Sequence, residues 1–420
     1  MTVVSQAAER IYYDEPATLE FTATVTAIRE VARVDGKQVW QIALDRTAFY
    51  PTSGGQPYDT GMLTATARSG AVLEVPITAV EEDSTGEVWH TTAKPLQEDT
   101  VVRGTVDASR RRDHMQQHTG QHLLSAILLR DCGAPTVSFH LGEDSSSIDL
   151  DVPGLTDDQL ASAQRVANEV IAAALPLAIR VVPQGEAQAM LAAGVLRKLP
   201  PRDGSIRLIE IPDIDLNACG GTHVATTAEI GTVLLRGTER VRGGLRLSFV
   251  CGGRAIAAAS QDFRLLSSLA QSLSTAPSEI GASIAKLQAD NKAAAKDRAA
   301  LLNSLAELES AHLAAEAGGS AVVVTLDSAL SGRDAAYAKL LASRLASAQG
   351  VPAALVIAPE LERASVVLST GAGSIDCGTL LRTTLAEFGG RGGGTREMAQ
   401  GAVPQAGLEA WLAIIQPQLQ

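Results

Sequence analysis

The stretch Asp113-His114-Met115-Gln116-Gln117-His118-Thr119-Gly120-Gln121-His122-Leu123-Leu124 decides how the rest of the chain is read. Met115, Leu123, Leu124, Ile127 and Leu128 recur at helical spacing, which predicts a helix over 113–130 that ends near Gly133. His118 and His122, four residues apart, then share one face of that helix. Farther along, Cys219-Gly220-Gly221-Thr222-His223 repeats the four-residue spacing, and its two glycines let the backbone turn sharply enough for both side chains to reach one ion. Imidazole nitrogen and thiolate sulfur are zinc-ligand types, so His118, His122, Cys219 and His223 would close a tetrahedron. His114 lies four residues before His118 and is an alternative to His122 as a ligand, or an outer contact.

Outward from this centre the chain reads as four regions of an α+β protein: 1–95, 96–255, 256–318 and 319–420. In the first, short β-rich runs at 19–25, 38–44 and 72–77 close most simply as a small barrel. The Gly- and Pro-rich segment from Phe49 to Gly61 is a loop within it, and its plain role is a connecting turn. The second region holds the His helix, strands at 137–141 and 147–152, a helix over 156–174 capped by Thr156, and strands at 178–182, 206–211, 232–236 and 245–250. That is a two-layer α/β core with the Cys motif on a loop between strands.

The third region is a long helix from Ser278 to Ala317, with Ile280, Leu287, Ala294, Leu301, Leu308 and Ala315 in one heptad position. Ile284, Asn291, Arg298, Leu305 and His312 fill the companion position. Its partner is its own chain, a second subunit or an antiparallel hairpin. The last region alternates strands and helices as a small α/β domain. The run from Gly389 to Arg396 has no P-loop or dinucleotide spacing, and reads as a hinge or as backbone open to phosphates, with Arg391 and Arg396 as counter-charges.

Composition narrows the classes. The 420 residues are 45% hydrophobic and 3% aromatic, which is enough apolar content for more than one core. Cys132, Cys219, Cys251 and Cys377 have no framework spacing, so a disulfide-stapled secreted domain is not expected. Neither a signal peptide nor an apolar run long enough for a membrane span is visible, and a cytoplasmic protein with no membrane partner follows as the expectation. A net charge of -12 opposes indiscriminate nucleic-acid binding. Local basic clusters at Arg110-Arg111-Arg112 and at Arg236, Arg240, Arg242, Arg246 and Arg254 nevertheless flank the two halves of the metal motif.

His118-Thr119-Gly120-Gln121-His122, Cys219-Gly220-Gly221-Thr222-His223, the loop Ser53-Gly54-Gly55-Gln56-Pro57 followed by Asp59 and Gly61, and Ser138-Phe139-His140-Leu141-Gly142 together resemble the editing domain of alanyl-tRNA synthetase. They are closer still to its freestanding relatives, the AlaX alanyl-tRNA editing proteins in their long form. Gly389–Gly394 with Met398-Ala399-Gln400 is similar to the C-terminal domain that follows editing in the synthetase. The resemblance implies a trans-acting deacylase that removes serine, and also glycine, from mischarged tRNA(Ala), with one Zn2+ per chain held by His118, His122, Cys219 and His223. Aminoacylation is not expected, because the chain opens almost directly in the β region.

Thr119, Gln121 and His140 are the candidates for catalysis and for reading the seryl hydroxyl; Gln121 stands where the synthetase commonly has threonine. Ser53, Gly54, Gly55 and Gln56 are expected to wall the terminal adenosine, and Arg111, Arg242, Arg391 and Arg396 to meet phosphate. A homodimer through the helical segment or the C-terminal domain is a further expectation. Two other readings stay open: a non-catalytic zinc-containing tRNA-binding protein, and a deacylase of another aminoacyl-tRNA.

Overall fold

The structure, a computed structural model, describes residues 8–34, 37–67, 69–200, 204–327, 332–371 and 375–419. They fall into two compact units, Met1–Leu266 and Ser267–Gln420.

The first unit opens with seven strands, β1 (Glu20–Val34), β2 (Lys37–Leu44), β3 (Gly61–Thr66), β4 (Val72–Ile77), β5 (Ala79–Glu82), β6 (Val88–Thr92) and β7 (Val101–Val106). They form one sheet in the order β4-β3-β7-β1-β2-β6-β5. Alternate apolar residues such as Val25, Ile42, Leu44, Leu63, Val75 and Val102 are buried in its core, as the two-residue period of strands requires. The expected closed barrel is not seen as a complete ladder: among the described residues no pairing joins the end strands β4 and β5. Thr78 alone separates those two strands, too short a link for a hairpin, so the chain passes from one end of the order straight to the other and the sheet has to curl.

Helix α1 (Ala108–Cys132) follows. The Asp107 side chain caps it by accepting from the amides of Ser109 and Arg110, and Gly133, at φ 61°, ends it in the left-handed conformation that glycine adopts freely. The helix thus starts five residues before the predicted position, because the arginine run belongs to its first turns. Leu123, Leu124, Ile127 and Leu128 bury its far half against strands β8 (Thr136–Leu141) and β9 (Ser146–Leu150) and helix α2 (Asp157–Ala172). Each such side chain contributes about 1.5–3 kcal/mol on leaving water. Thr156 and Gln159 form a reciprocal capping box on α2.

Strand β10 (Ala178–Val182), helix α3 (Gln184–Ala192), β11 (Ile206–Ile211) and β12 (Asp215–Ala218) come next, then β13 (Val233–Val241), β14 (Gly244–Cys251) and helix α4 (Gly252–Ser272). The strands make two further sheets, β8-β9-β14-β13 and β10-β11-β12, all antiparallel. Mixed helix and sheet in this form is the expected α+β class.

The second unit contains helix α5 (Ile280–Ala317), β15 (Val322–Thr325), α6 (Ala335–Ala346), β16 (Ala354–Pro359), β17 (Arg363–Ser369), α7 (Cys377–Ala386), β18 (Arg391–Gly394), β19 (Met398–Pro404) and α8 (Leu408–Ile415). Its sheet runs β15-β16-β17-β19-β18. The face of α5 that packs on its own unit is built from Leu302, Leu305, Ala306 and Leu313, whereas the heptad residues Leu287, Leu301 and Leu308 are exposed.

The glycine run is neither hinge nor open backbone along β18. Arg391–Gly394 pairs with β19, and a Cβ added at Gly392 would come within 2.6 Å of Leu385 on α7. Gly392 thus lets the strand pack closely on the helix, while a Cβ at Gly393 would meet open space.

Candidate metal centre

Helix α1 presents His118 and His122 on one face, and the loop after β12 brings Cys219 and His223 to meet them. One ligand atom from each of these four residues lies within 4.8 Å of every other, so the group could hold a metal ion. Cys219 Sγ is 3.5 Å from His118 Nε2 and 3.3 Å from His223 Nε2.

What fixes the three imidazoles is the nitrogen on the far side of each ring. His118 Nδ1 is 2.8 Å from Gln56 Oε1, His122 Nδ1 is 3.1 Å from Asp215 Oδ2, and His223 Nδ1 is 3.1 Å from Thr119 Oγ1. Anchored in this way, a histidine turns its Nε2 to the ion in a fixed tautomer, the usual arrangement behind metal ligands. The anchors are held in turn. Gln56 Nε2 donates to Thr222 Oγ1 at 2.8 Å, and Arg197 pairs with the other oxygen of Asp215.

The Cys loop is shaped by two devices. Gly221 lies so close to His118 that a Cβ there would enter the imidazole ring. Arg207 donates to the carbonyls of Cys219 at 2.8 Å, Gly221 at 2.9 Å and Tyr13 at 2.8 Å, tying the loop to the start of the chain.

Electrostatically the pocket suits a cation. Burial opposes the Cys219 thiolate, but His118 and His223 outweigh it and bring the thiol well below its ordinary range. Burial likewise opposes a charged His122, yet Asp215 and Cys219 hold its pKa up at about 9, while burial takes His223 down to about 3. A thiolate, an anchoring carboxylate and a proton held on His122 make this a place where a positive ion could take that proton's position.

The other predicted residues land in different settings. Ser53, Gly54 and Gly55 are exposed in a tight turn closed by Ser53 and Gln56 amides, with Gly54 at φ 55° and Gly55 at φ 86°, values that favour glycine at both positions. Gln56, expected on a substrate wall, is buried and anchors a ligand; Thr119, expected in catalysis, does the same for His223. Gln121 is half-buried beside the ligand face, its amide nitrogen donating to Ser125 Oγ at 2.9 Å.

His140 is exposed; the preceding residue of β8, Phe139, lies against His118 with ring centroids 5.3 Å apart. The expectation for Arg111 needs correcting. It is 1% exposed and commits its donors to Asp59 and to the carbonyls of Pro16 and Ala48, out of reach of a phosphate. Arg242 is exposed at the β13–β14 turn, and Arg391 and Arg396 are exposed in the second unit. Asp215, Arg207 and Phe139 were not singled out from the sequence. For Phe139 the signal was its place inside the quoted Ser138–Gly142 motif, and for Asp215, four residues before Cys219, an acid one short strand ahead of the Cys motif.

The fold is a curled β-sheet followed by an α+β core that carries a three-histidine, one-cysteine cluster able to hold a metal ion. Three families match segments of the chain: class II (A) tRNA synthetases over residues 1–110, the threonyl and alanyl tRNA synthetase second additional domain over 206–247, and the DHHA1 domain over 318–420. The second of these spans Cys219 and His223.

Among curated relatives, alanine–tRNA ligase of Korarchaeum cryptofilum is 29% identical across 98% of this chain and 45% of its own length. The corresponding ligase of Natronomonas pharaonis is 32% identical across 71% of the chain and 32% of its own length. Alanyl-tRNA editing protein Aarsd1-A of Xenopus laevis is 32% identical across 66% of the chain and 65% of its own length. The chain therefore spans less than half of those ligases. It is AlaX-like, related to the alanyl-tRNA editing proteins and to the corresponding part of alanyl-tRNA synthetase.

Proposed function

We propose that the chain is a zinc-dependent deacylase that hydrolyses the ester of mischarged tRNA(Ala), with the seryl ester as main substrate and the glycyl ester as second. The observation that carries this reading is the convergence of His118, His122, Cys219 and His223 in a chain with an editing-protein relative, one pair of ligands lying in the matched synthetase segment. When bound, a zinc ion supplies positive charge for the oxyanion that develops as the ester is attacked.

The chain's own groups do the positioning. Gln56, Thr119 and Asp215 keep the three imidazoles aligned, and Phe139 shields one side of His118 from water. Gln121 is the reader of the seryl hydroxyl in this scheme: Ser125 holds its amide nitrogen, and its Oε1 has no protein donor among the described residues. An acceptor on this half-buried side chain that the seryl hydroxyl satisfies would favour the seryl over the alanyl ester. Arg242, Arg391 and Arg396 are assigned to phosphate, which makes binding fall as salt rises.

The test is hydrolysis of seryl-, glycyl- and alanyl-tRNA(Ala) by the full chain and by Cys219→Ala. Rapid loss of the seryl ester with the intact chain, abolished in the variant, is the expected result. Equal hydrolysis by both would overturn the proposal. A closed set of four protein ligands is also the pattern of a structural zinc. On that second reading the chain binds tRNA(Ala) and leaves every ester intact.

A further inference from the structure

One helical turn before His118, a cavity of about 670 Å³ opens between Tyr58, the first half of α1 and the Leu141–Glu143 turn. His114 lines it. This histidine is 3% exposed, and its Nδ1 is buried without a hydrogen-bond partner. Burial, then Arg110, pushes its pKa down to about 4, so the ring is neutral near pH 7. Buried polar atoms are almost always partnered, and an unpartnered one on a side chain that lines a cavity is a reason to look there for a ligand's polar edge.

The charges around the cavity leave one cation uncommitted. Asp113 is paired with Arg254 at 2.8 and 2.6 Å, and Arg254 also donates to the Gly142 carbonyl at 2.7 Å. Asp107 is occupied in capping α1. Glu143 is exposed at the rim. Arg110 donates through Nε to the Tyr58 carbonyl at 2.9 Å, with its guanidinium 5.3 Å from the centre of the Tyr58 ring. Its two terminal nitrogens have no protein acceptor among the described residues.

An aromatic ring with a guanidinium beside it is a platform for a nucleobase, an uncommitted guanidinium fork takes a phosphate, and a neutral imidazole meets a base edge. Resting on the ester-hydrolase reading, we propose that this cavity seats the terminal adenosine of the acylated tRNA, with the base on Tyr58 and His114 and the 5′-phosphate on Arg110. The spacing agrees with this placement. Four residues of helix separate His114 from His118, about 6 Å along the axis. That is the span of the one ribose that lies between the base and the ester.

The experiment uses uncharged acceptor-stem RNA of tRNA(Ala) ending in CCA or in CC, titrated into the full, metal-loaded chain by fluorescence anisotropy. Loss of the terminal adenosine should weaken binding at least about 10-fold, the scale of one stacked base. Arg110→Ala and His114→Phe should each lower affinity for the CCA RNA to that of the CC RNA, leaving the CC affinity and the metal content unchanged. Arg110→Ala, at a surface-reaching side chain, keeps the test open if His114→Phe does not fold.

Equal weakening of both RNAs, or of neither, would overturn the proposal. Adenosine monophosphate should displace the CCA RNA only weakly; binding tighter than the RNA would make this a free-nucleotide site and overturn it also. Because the RNA is uncharged, the result is independent of deacylation. An absent hydrolysis with an intact CCA preference would sink the ester-hydrolase reading alone.

Discussion

His90, in the N-terminal sheet, and the three histidines of the metal centre are equally removed from water, yet their ring nitrogens are used differently. His90 is fully buried with Nε2 2.8 Å from Thr47 Oγ1 and Nδ1 3.0 Å from the Ile42 carbonyl, so both nitrogens are satisfied inside β structure. His118, His122 and His223 each have Nδ1 anchored by a neighbour and Nε2 turned toward a common point. Burial of a histidine is therefore silent about ligation. What separates the two settings is the second nitrogen: in His90 it meets an ordinary hydroxyl partner, whereas in the cluster it turns toward Cys219 and the other imidazoles.

The largest way to break this contrast is Gly221→Ala. The added Cβ would push the His118 ring off its position while all four ligands stay in the sequence. Metal affinity should fall by about 100-fold, the upper end of what lost ligand alignment costs, with seryl-tRNA(Ala) hydrolysis falling alongside; metal analysis after dialysis reads the first effect. Asp215→Ala comes next, with an expected loss of about 10- to 100-fold in metal affinity by competition with a chromophoric chelator, because His122 keeps its ligand atom and loses its orientation. Thr119→Val should sit near the lower end of that range. If these anchor variants bound metal as the parent does, the far-side hydrogen bonds would have no part in holding the ion.

The opposite half of the comparison is read by acid. Burial holds His90 at a pKa of about 4, below its unfolded value of about 6.5. Between those values the unfolded chain takes up the extra proton, so the stability held above pH 6.5 falls as pH drops toward 4, by about 3 kcal/mol for this group. Denaturant unfolding of the parent and of His90→Gln should show a shallower acid slope in the variant, with metal content the same in both. A variant that lost metal would abolish the distinction. At the small end, Arg165→Ala removes an exposed ion pair to Glu169 on α2 and should shift stability by no more than about 0.5 kcal/mol, with no change at the metal.

The α1 helix and the four side chains that could hold a metal were readable in the sequence because helical spacing and a glycine turn are local properties. The same holds for β4, β10 and β11, whose predicted and observed limits coincide. Contacts made by pairing were not readable. Val137-Ser138-Phe139-His140-Leu141 alternates apolar with polar, which puts Phe139 and His140 on opposite faces, but alternation within one strand does not tell which distant element, here His118 on α1, the Phe139 face meets.

In the run Arg110-Arg111-Arg112 three like residues look equivalent. The helix turns them in different directions, one toward Tyr58 and one into a buried pair with Asp59. The heptad in α5 is a pattern of the sequence, whereas the face that packs on its own unit, Leu302, Leu305, Ala306 and Leu313, takes only Leu305 from the two heptad positions and leaves Leu287, Leu301 and Leu308 exposed.

The central claim is that three imidazoles and the Cys219 thiolate bind one zinc ion. Zinc-edge X-ray absorption on the full chain after zinc loading tests it most directly. The expected result is one zinc per chain with three nitrogens at about 2.0–2.1 Å and one sulfur at about 2.3 Å, the sulfur disappearing in Cys219→Ala. A shell without sulfur in the parent protein, or a sulfur signal that survives in Cys219→Ala, would contradict it.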